Sequence, residues 1–284
     1  EGAAGRRSAA GVMIPNVLSI AGSDPSGGAG IQADLKTFTA LGCYGMAALT
    51  SLTVQNTRHV LDVYHLEADF VEAQIRAIFE DIDVDALKIG MVGNARTITM
   101  LAELLEDIKP RFVVLDPVMV ATSGDALISN HAVDVMKEKL IPLCDVLTPN
   151  IPEAEKLTGE KLMNSDDLEE LAANVCRLGC KAVLLKGGHA FSDSQATDVL
   201  YSDQQVKTFS VPRIVTNNTH GTGCTLSAAL TCFVALGHDL TEAAQKAKDY
   251  VTEALRHSEA LNVGHGHGPV NHFHFHGREG QGRA

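Results

Sequence analysis

The stretch Asn217-Asn218-Thr219-His220-Gly221-Thr222-Gly223-Cys224-Thr225-Leu226-Ser227-Ala228-Ala229-Leu230 changes character halfway along, from polar and glycine-rich to small and apolar. A run of that kind is a loop feeding a helix, read here as starting near Cys224. The first turn of a helix carries N–H groups without intrahelical partners, and the positive end of the helix dipole lies there. Gly221 and Gly223 can take φ > 0 and bring the backbone close to a ligand, so loop and helix start together form an anion site. Thr219, His220, Thr222 and Thr225 surround the glycines with hydroxyls and an imidazole. Cys224 places a thiol at the helix N-terminus, where thiol pKa values fall. That thiol either takes a proton or only fills space.

Outward from this loop, apolar runs alternate with segments of helical spacing. Val17 to Ala21 is a short strand that ends in Gly22-Ser23-Asp24-Pro25-Ser26-Gly27-Gly28-Ala29-Gly30, and Ile31 to Leu41 is a helix. The glycine spacing is neither that of a dinucleotide fingerprint nor, without G-K-[ST], that of a P-loop. Further strands are expected at Ala47 to Gln55, from Ala86 into Gly90-Met91-Val92-Gly93, at Phe112 to Leu115, Val146-Leu147 and Ala182 to Leu185. Helices are expected at Asp69 to Glu80, Asn94 to Glu106, Ala132 to Leu140, Leu168 to Leu178 and Leu240 to Leu261. Thr197 to Ser202 and Gln205 to Val211 read as a hairpin. Such alternation implies right-handed crossovers and a mostly parallel sheet covered on both faces. Asp116, Asn150 and Lys186 each follow an apolar strand, and in open α/β sheets ligands bind beyond the carboxyl ends of strands.

With 284 residues, 45% of them hydrophobic, the chain can bury a large core, and no linker interrupts the pattern. The net charge of −12 argues against a nucleic-acid partner, which would need a basic face. Six cysteines without a C-x-x-C pair suggest reduced, cytosolic usage, and no run reaches the roughly 18 apolar residues of a membrane span. Residues 1–12 are expected to be a disordered extension, 13–276 one domain and 277–284 a disordered tail. The segment Gly264 to His276 alternates His with Gly and Phe. Its period is that of a strand, but with no Cys or carboxylate nearby it reads as a solvated terminus more readily than as a metal site.

Four blocks, A-G-S-D-P-S-G-G-A-G-I-Q-A-D at the front, P-N-x-x-E at Pro149 to Glu153, K-G-G-H at Lys186 and N-T-H-G-T-G-C-T, stand in an order that resembles the hydroxymethylpyrimidine and phosphomethylpyrimidine kinases. The resemblance runs from about Ile14 to His274 and implies the ribokinase-like fold, a three-layer α/β/α sandwich. It further implies a cytoplasmic, usually homodimeric kinase of thiamine biosynthesis. ATP and Mg2+ would serve to phosphorylate 4-amino-5-hydroxymethyl-2-methylpyrimidine and then its monophosphate. By position the resemblance assigns the pyrimidine to Gly22, Ala29, Asp34, Gln55, Met91 and Val118. An amide and a carboxylate suit the polar edge of an aminopyrimidine, and Met91 and Val118 its faces. The same resemblance gives magnesium to Asp116 and Glu153, the nucleotide and its phosphates to Asn150, Glu153, Lys186, Thr219 and Lys248, and the anion hole to Gly221, Thr222 and Gly223. Sugar kinases of this fold carry Asp where Cys224 stands. The competing readings are a pyridoxal kinase of the same fold and a non-catalytic vitamin-binding protein, the latter disfavoured by the anion hole.

Overall fold

A computed structural model describes residues 7–8, 11–164, 167–188 and 194–275 of the chain. Its centre is a nine-stranded sheet. In chain order the strands are β1 (Asn16–Ser23), β2 (Tyr44–Gln55), β3 (Val60–His65), β4 (Ala86–Ile89), β5 (Val113–Leu115), β6 (Val146–Leu147), β7 (Ala182–Lys186), β8 (Gln195–Ser202) and β9 (Gln205–Pro212). Their spatial order is β9-β8-β7-β6-β5-β4-β1-β2-β3. The contiguous block from β2 through β1, β4, β5 and β6 to β7 is parallel, whereas β3 at one edge and β8-β9 at the other run antiparallel. The fold is the expected mostly parallel α/β sheet flanked by helices.

Alternation along the buried strands divides the core in two. Leu18, Ile20, Leu115, Leu147, Val183 and Leu185 face one layer. It is built from α2 (Ala68–Asp81), α3 (Ala95–Ile108), α4 (Asn130–Val135), α5 (Ile151–Thr158) and α6 (Leu168–Cys176). Their neighbours Val114, Val146, Ala182 and Leu184 face α7 (Thr222–Ala235) and α8 (Leu240–Arg256), and Val17 packs with Phe38 of α1 (Gly30–Ala40). A strand covered on both sides must be apolar at successive positions, as these short runs are. No helix among the described residues is long and apolar enough to cross a membrane.

The structure departs from the expectations at several points. β3 was not anticipated, because an edge strand with exposed Leu61, Asp62, Tyr64 and His65 carries no buried period. Helix α5 is short and opens with Pro152, but Asn150 and Glu153 close a capping box that defines its start. Helix α7 begins at Thr222, two residues early, and only Gly221 of the two loop glycines has positive φ, at 80°. The His-rich segment is not a strand, and only part of it is solvated as expected: Gly264 to His267, Phe273 and Phe275 are exposed, whereas Val270, Asn271, His272 and His274 are buried. Of the expected disordered extension, only 7–8 and 11–12 are described, and they pair antiparallel; residues 276–284 and His189 lie outside the described residues.

Candidate active site

A cavity of about 580 Å³ opens at the carboxyl ends of the parallel strands. Two glycine loops form one side of it. After β1, Asp24 folds its loop by accepting from the backbone N–H of Ser26, Gly28 and Ala29 and from Ser26 Oγ. It also accepts from His220 Nε2 of the second loop at 2.7 Å. Burial alone would raise the Asp24 carboxyl, but the bonds from His220 and Ser26 outweigh it and hold the group below its usual range. A Cβ at Gly221 would run into the Gly28 carbonyl, and one at Gly28 into the His220 ring. The glycines are therefore there so that the two loops can lie against each other.

The second loop feeds α7. Gly221 has no side chain with which to cap the helix, so the first-turn N–H groups of Gly223 and Cys224, which have no intrahelical partner, belong to residues that line the cavity. A Cβ on Gly223 would sit 3.2 Å from Lys186 Nζ and 3.8 Å from an Asp116 carboxylate oxygen. Lys186, the last residue of β7, lies 3.0 Å from Asp116, which follows β5 and also accepts from Ser227 Oγ of α7. Burial alone would lower the Lys186 pKa; Asp116 and Glu153 outweigh it and keep the ammonium charged.

Glu153 faces the same end. One of its oxygens accepts from the Asn150 backbone N–H, and Asn150 Oδ1 accepts from the Glu153 N–H. Burial pushes the Glu153 carboxyl up to about 7; Asp116 adds to this, while Lys186 and the N–H groups of Asn150 and Met119 oppose it. Two carboxylates near one lysine leave a surplus of negative charge that a dication would relieve. Among the described residues no three His, Cys, Asp or Glu side chains gather as a metal site. Asp116 and Glu153 nevertheless fit Mg2+, which is held by one or two carboxylates and completes its shell with water and substrate phosphates.

Gly22, Ala29, Gln55, Met91 and Val118 also line the wall, with Ala29 beside Gly221 and Gly22 against Met91. Thr53 Oγ1 lies 2.9 Å from both Gln55 Oε1 and the Ser23 carbonyl. This contact fixes the Gln55 amide on the cavity wall, with the end that Thr53 does not engage turned to a ligand.

Three expected residues need correction. Asp34 is not on the wall: fully buried in α1, it binds Lys88 Nζ through both oxygens at 2.9 Å and accepts from Ser19 Oγ at 2.6 Å. Lys88 reaches the cavity in its place, and Asp34 outweighs burial to keep its pKa raised. Lys248 is not on the wall either. Its ammonium binds Asp198 of β8 at 2.7 Å, and Asp198 accepts from the Gly187 N–H at 3.1 Å, so Lys248 braces the turn after Lys186 from behind. Cys224 lines the cavity, but its thiol is not lowered. Burial, with Asp34 and Asp116 nearby, pushes it up to about 11 against the opposing pull of Lys88 and the Gly30 N–H. The helix end is outweighed by desolvation beside two carboxylates. The other expected residues, Asp116, Asn150, Glu153, Lys186, Thr219, Gly221, Thr222 and Gly223, come together on the cavity wall.

Lys88, Asp24 and Thr122, the last 3.4 Å from His220 Nδ1, were missed. Lys88 had a signal, a cation inside the apolar run Ala86-Leu87-Lys88-Ile89. The Asp24 to His220 contact spans 196 positions and had none.

A sheet whose switch-point cavity joins an anion-binding helix start to a lysine and two carboxylates is that of a ribokinase-like kinase. A family model for phosphomethylpyrimidine kinase matches residues 24–271, and the chain belongs to that family. It is 46% identical to the hydroxymethylpyrimidine/phosphomethylpyrimidine kinase of Escherichia coli, over 91% of this chain and 97% of that one. It is 49% identical to the thiamine biosynthesis bifunctional protein of Geobacter sulfurreducens over 91% of this chain, and spans about half (52%) of that longer protein. Among solved structures, the ADP complex of Bacillus subtilis pyridoxal kinase superimposes with a TM-score of 0.85 at 37% identity, covering 93% of this chain and 99% of the other.

Proposed function

We propose that the chain transfers the γ-phosphoryl group of ATP to 4-amino-5-hydroxymethyl-2-methylpyrimidine and then to its monophosphate, giving the diphosphate for thiamine biosynthesis. One observation carries the reading: a single cavity is lined both by the Gln55 amide with apolar Met91 and Val118 and by the helix start with Lys186, Asp116 and Glu153. Gln55 hydrogen-bonds the pyrimidine edge, Met91 and Val118 cover its faces, and Gly22 and Ala29 bring backbone up to it. Asp116 and Glu153 hold Mg2+, which when bound neutralises charge on the phosphates. Asn150 fixes Glu153, Lys186 meets the transferring group, and the N–H groups of the Gly221 to Cys224 turn stabilise its oxygens. Thr219 and Thr222 shape that turn, since Thr222 Oγ1 donates to the Thr219 carbonyl at 2.6 Å. Phosphoryl transfer through a loose transition state is carried mainly by positioning and electrostatics, which suits a Cys224 that is protonated at neutral pH.

Pyridoxal is the competing substrate, since a 37% identical pyridoxal kinase shares the fold. Steady-state assays with the pyrimidine, its monophosphate and pyridoxal side by side decide between them. The expected kcat/KM favours both pyrimidines by roughly tenfold or more, the discrimination a matched hydrogen bond and pocket supply; a preference for pyridoxal would overturn the assignment. We further infer a homodimer built on the β2-β3 edge, where Leu52, Val54 and Tyr64 stand exposed on neighbouring strands. All six cysteines are free, in keeping with a reducing cytoplasm.

A further inference from the structure

The segment Gly268 to His274, left without a role by the chemistry above, lies against the back of the phosphate-binding turn. Gly268 accepts from the His220 N–H at 3.0 Å, and Pro269 forms a parallel bridge to His220. A Cβ at Gly268 would strike the Asn218 side chain, so glycine is what lets the segment approach. Three residues beyond Pro269, the His272 ring reaches Thr225. The Thr225 hydroxyl stands 2.8 Å from the Gly221 carbonyl, to which it donates, and 2.9 Å from His272 Nε2. A hydroxyl has one proton, and Thr225 spends it on Gly221. His272 must therefore donate from Nε2, which fixes its tautomer. Burial, aided by Lys36 and His274, pushes the imidazole down to about 4, so the ring is neutral.

The far side of the segment is fastened to α8. Tyr250 OH donates to the His272 carbonyl at 2.6 Å, Asn271 N–H to the Ala254 carbonyl at 3.0 Å, and Asn271 Nδ2 to the His257 carbonyl at 3.2 Å. Val270 is fully buried between these attachments. The chain from α8 through Tyr250, His272 and Thr225 to the Gly221 carbonyl is unbroken, and Gly221 is the one loop residue at positive φ from which α7 and its free N–H groups start.

We propose that Gly268 to His274 is a strap that sets the geometry of the anion-binding turn, with His272 as a positioning residue acting through Thr225. His272 touches no reacting atom. It holds the hydroxyl that holds the Gly221 carbonyl, and so keeps the N–H groups of Gly223 and Cys224 aimed at the transferring phosphoryl group.

The inference rests on the assignment of that turn to phosphoryl transfer, so the experiment separates the two. H272A, H272Q, Y250F and G223V are compared for thermal stability, kcat, and KM for the pyrimidine. H272A is expected to lower kcat about tenfold or more while KM for the pyrimidine stays within about twofold, because small displacements of a positioned group cost rate more than binding. H272Q, whose amide can donate to Thr225, is expected to recover most of that loss. Y250F, which keeps its ring and loses only the tether, is expected to fall between H272Q and H272A. Equal losses in H272A and H272Q would mean that the ring merely fills space and would overturn the proposal, as would a Y250F enzyme with unchanged kcat. That second result decides the matter even if H272A does not fold. If G223V is inactive while H272A and Y250F are fully active, the strap is wrong and the turn's role stands. If G223V is active, the turn's role itself is wrong.

Discussion

Glu153 carries two duties at one position. It closes the capping box that starts α5 and is one of the two carboxylates, with Asp116, that line the cavity near Lys186. Burial beside Asp116 raises its pKa to about 7. A carboxyl raised on folding binds a proton in the folded chain that the unfolded chain has released, so between about 4.5 and about 7 this group makes stability fall as pH rises. Metal binding has the opposite slope, because only the carboxylate is a ligand. The apparent affinity for Mg2+ is accordingly expected to increase severalfold from about pH 6 to about pH 8. In E153Q, which keeps a capping-box side chain, it should be weaker and nearly flat over the same range. A pH-independent affinity in the parent enzyme would remove Glu153 from the metal site. The thiol of Cys224 teaches the complementary lesson. Its place at a helix start suggests a thiolate, but desolvation, with the charges of Asp34 and Asp116 nearby, outweighs Lys88 and the Gly30 N–H and holds the thiol protonated.

Among the elements, the parallel strands and the longer helices were legible because each buries a regular apolar face. β3 and α5 were not, since an exposed edge strand and an eight-residue helix bury too little to leave a period. The β8-β9 hairpin was legible from its polar turn, and the structure gives the reason for its tightness: Asp203 and Gln204 both sit at positive φ, 51° and 60°, the conformation of a type I′ turn. The β2-β3 edge is where the proposed homodimer would form. Tyr64 is 66% exposed opposite Leu52 at 43%, with Val54 at 56% beside them, and an uncovered apolar edge is a pairing surface. Light scattering is expected to find a dimer for the parent and a monomer for the L52E/Y64E double variant. A monomeric parent, or a double variant that stays dimeric, would place the interface elsewhere or abolish it.

At the scale of the whole molecule, the strand-end rule located the cavity: Asp116, Asn150 and Lys186 were each legible as polar residues after apolar strands, and the sheet brings them to one edge. What could not be read was how distant segments complete one another. The interlock of Gly28 with His220 and the Lys88 to Asp34 pair depend on which strands are neighbours, and so does the Lys248 to Asp198 brace. No local pattern encodes that. The central claim is that the turn from Gly221 to Cys224, facing Lys186 and Asp116, holds the transferring phosphoryl group. Gly223→Val tests it most directly, because Gly223 is not at positive φ and its Cβ would project between Lys186 and Asp116. Single-turnover transfer from ATP to the pyrimidine is expected to slow by roughly a thousandfold or more, the loss of one to two oxyanion-type donors, with a melting temperature within a few degrees of the parent. A G223V enzyme that folds and transfers within about tenfold of the parent rate would contradict the claim, since phosphoryl stabilisation would then come from elsewhere in the cavity.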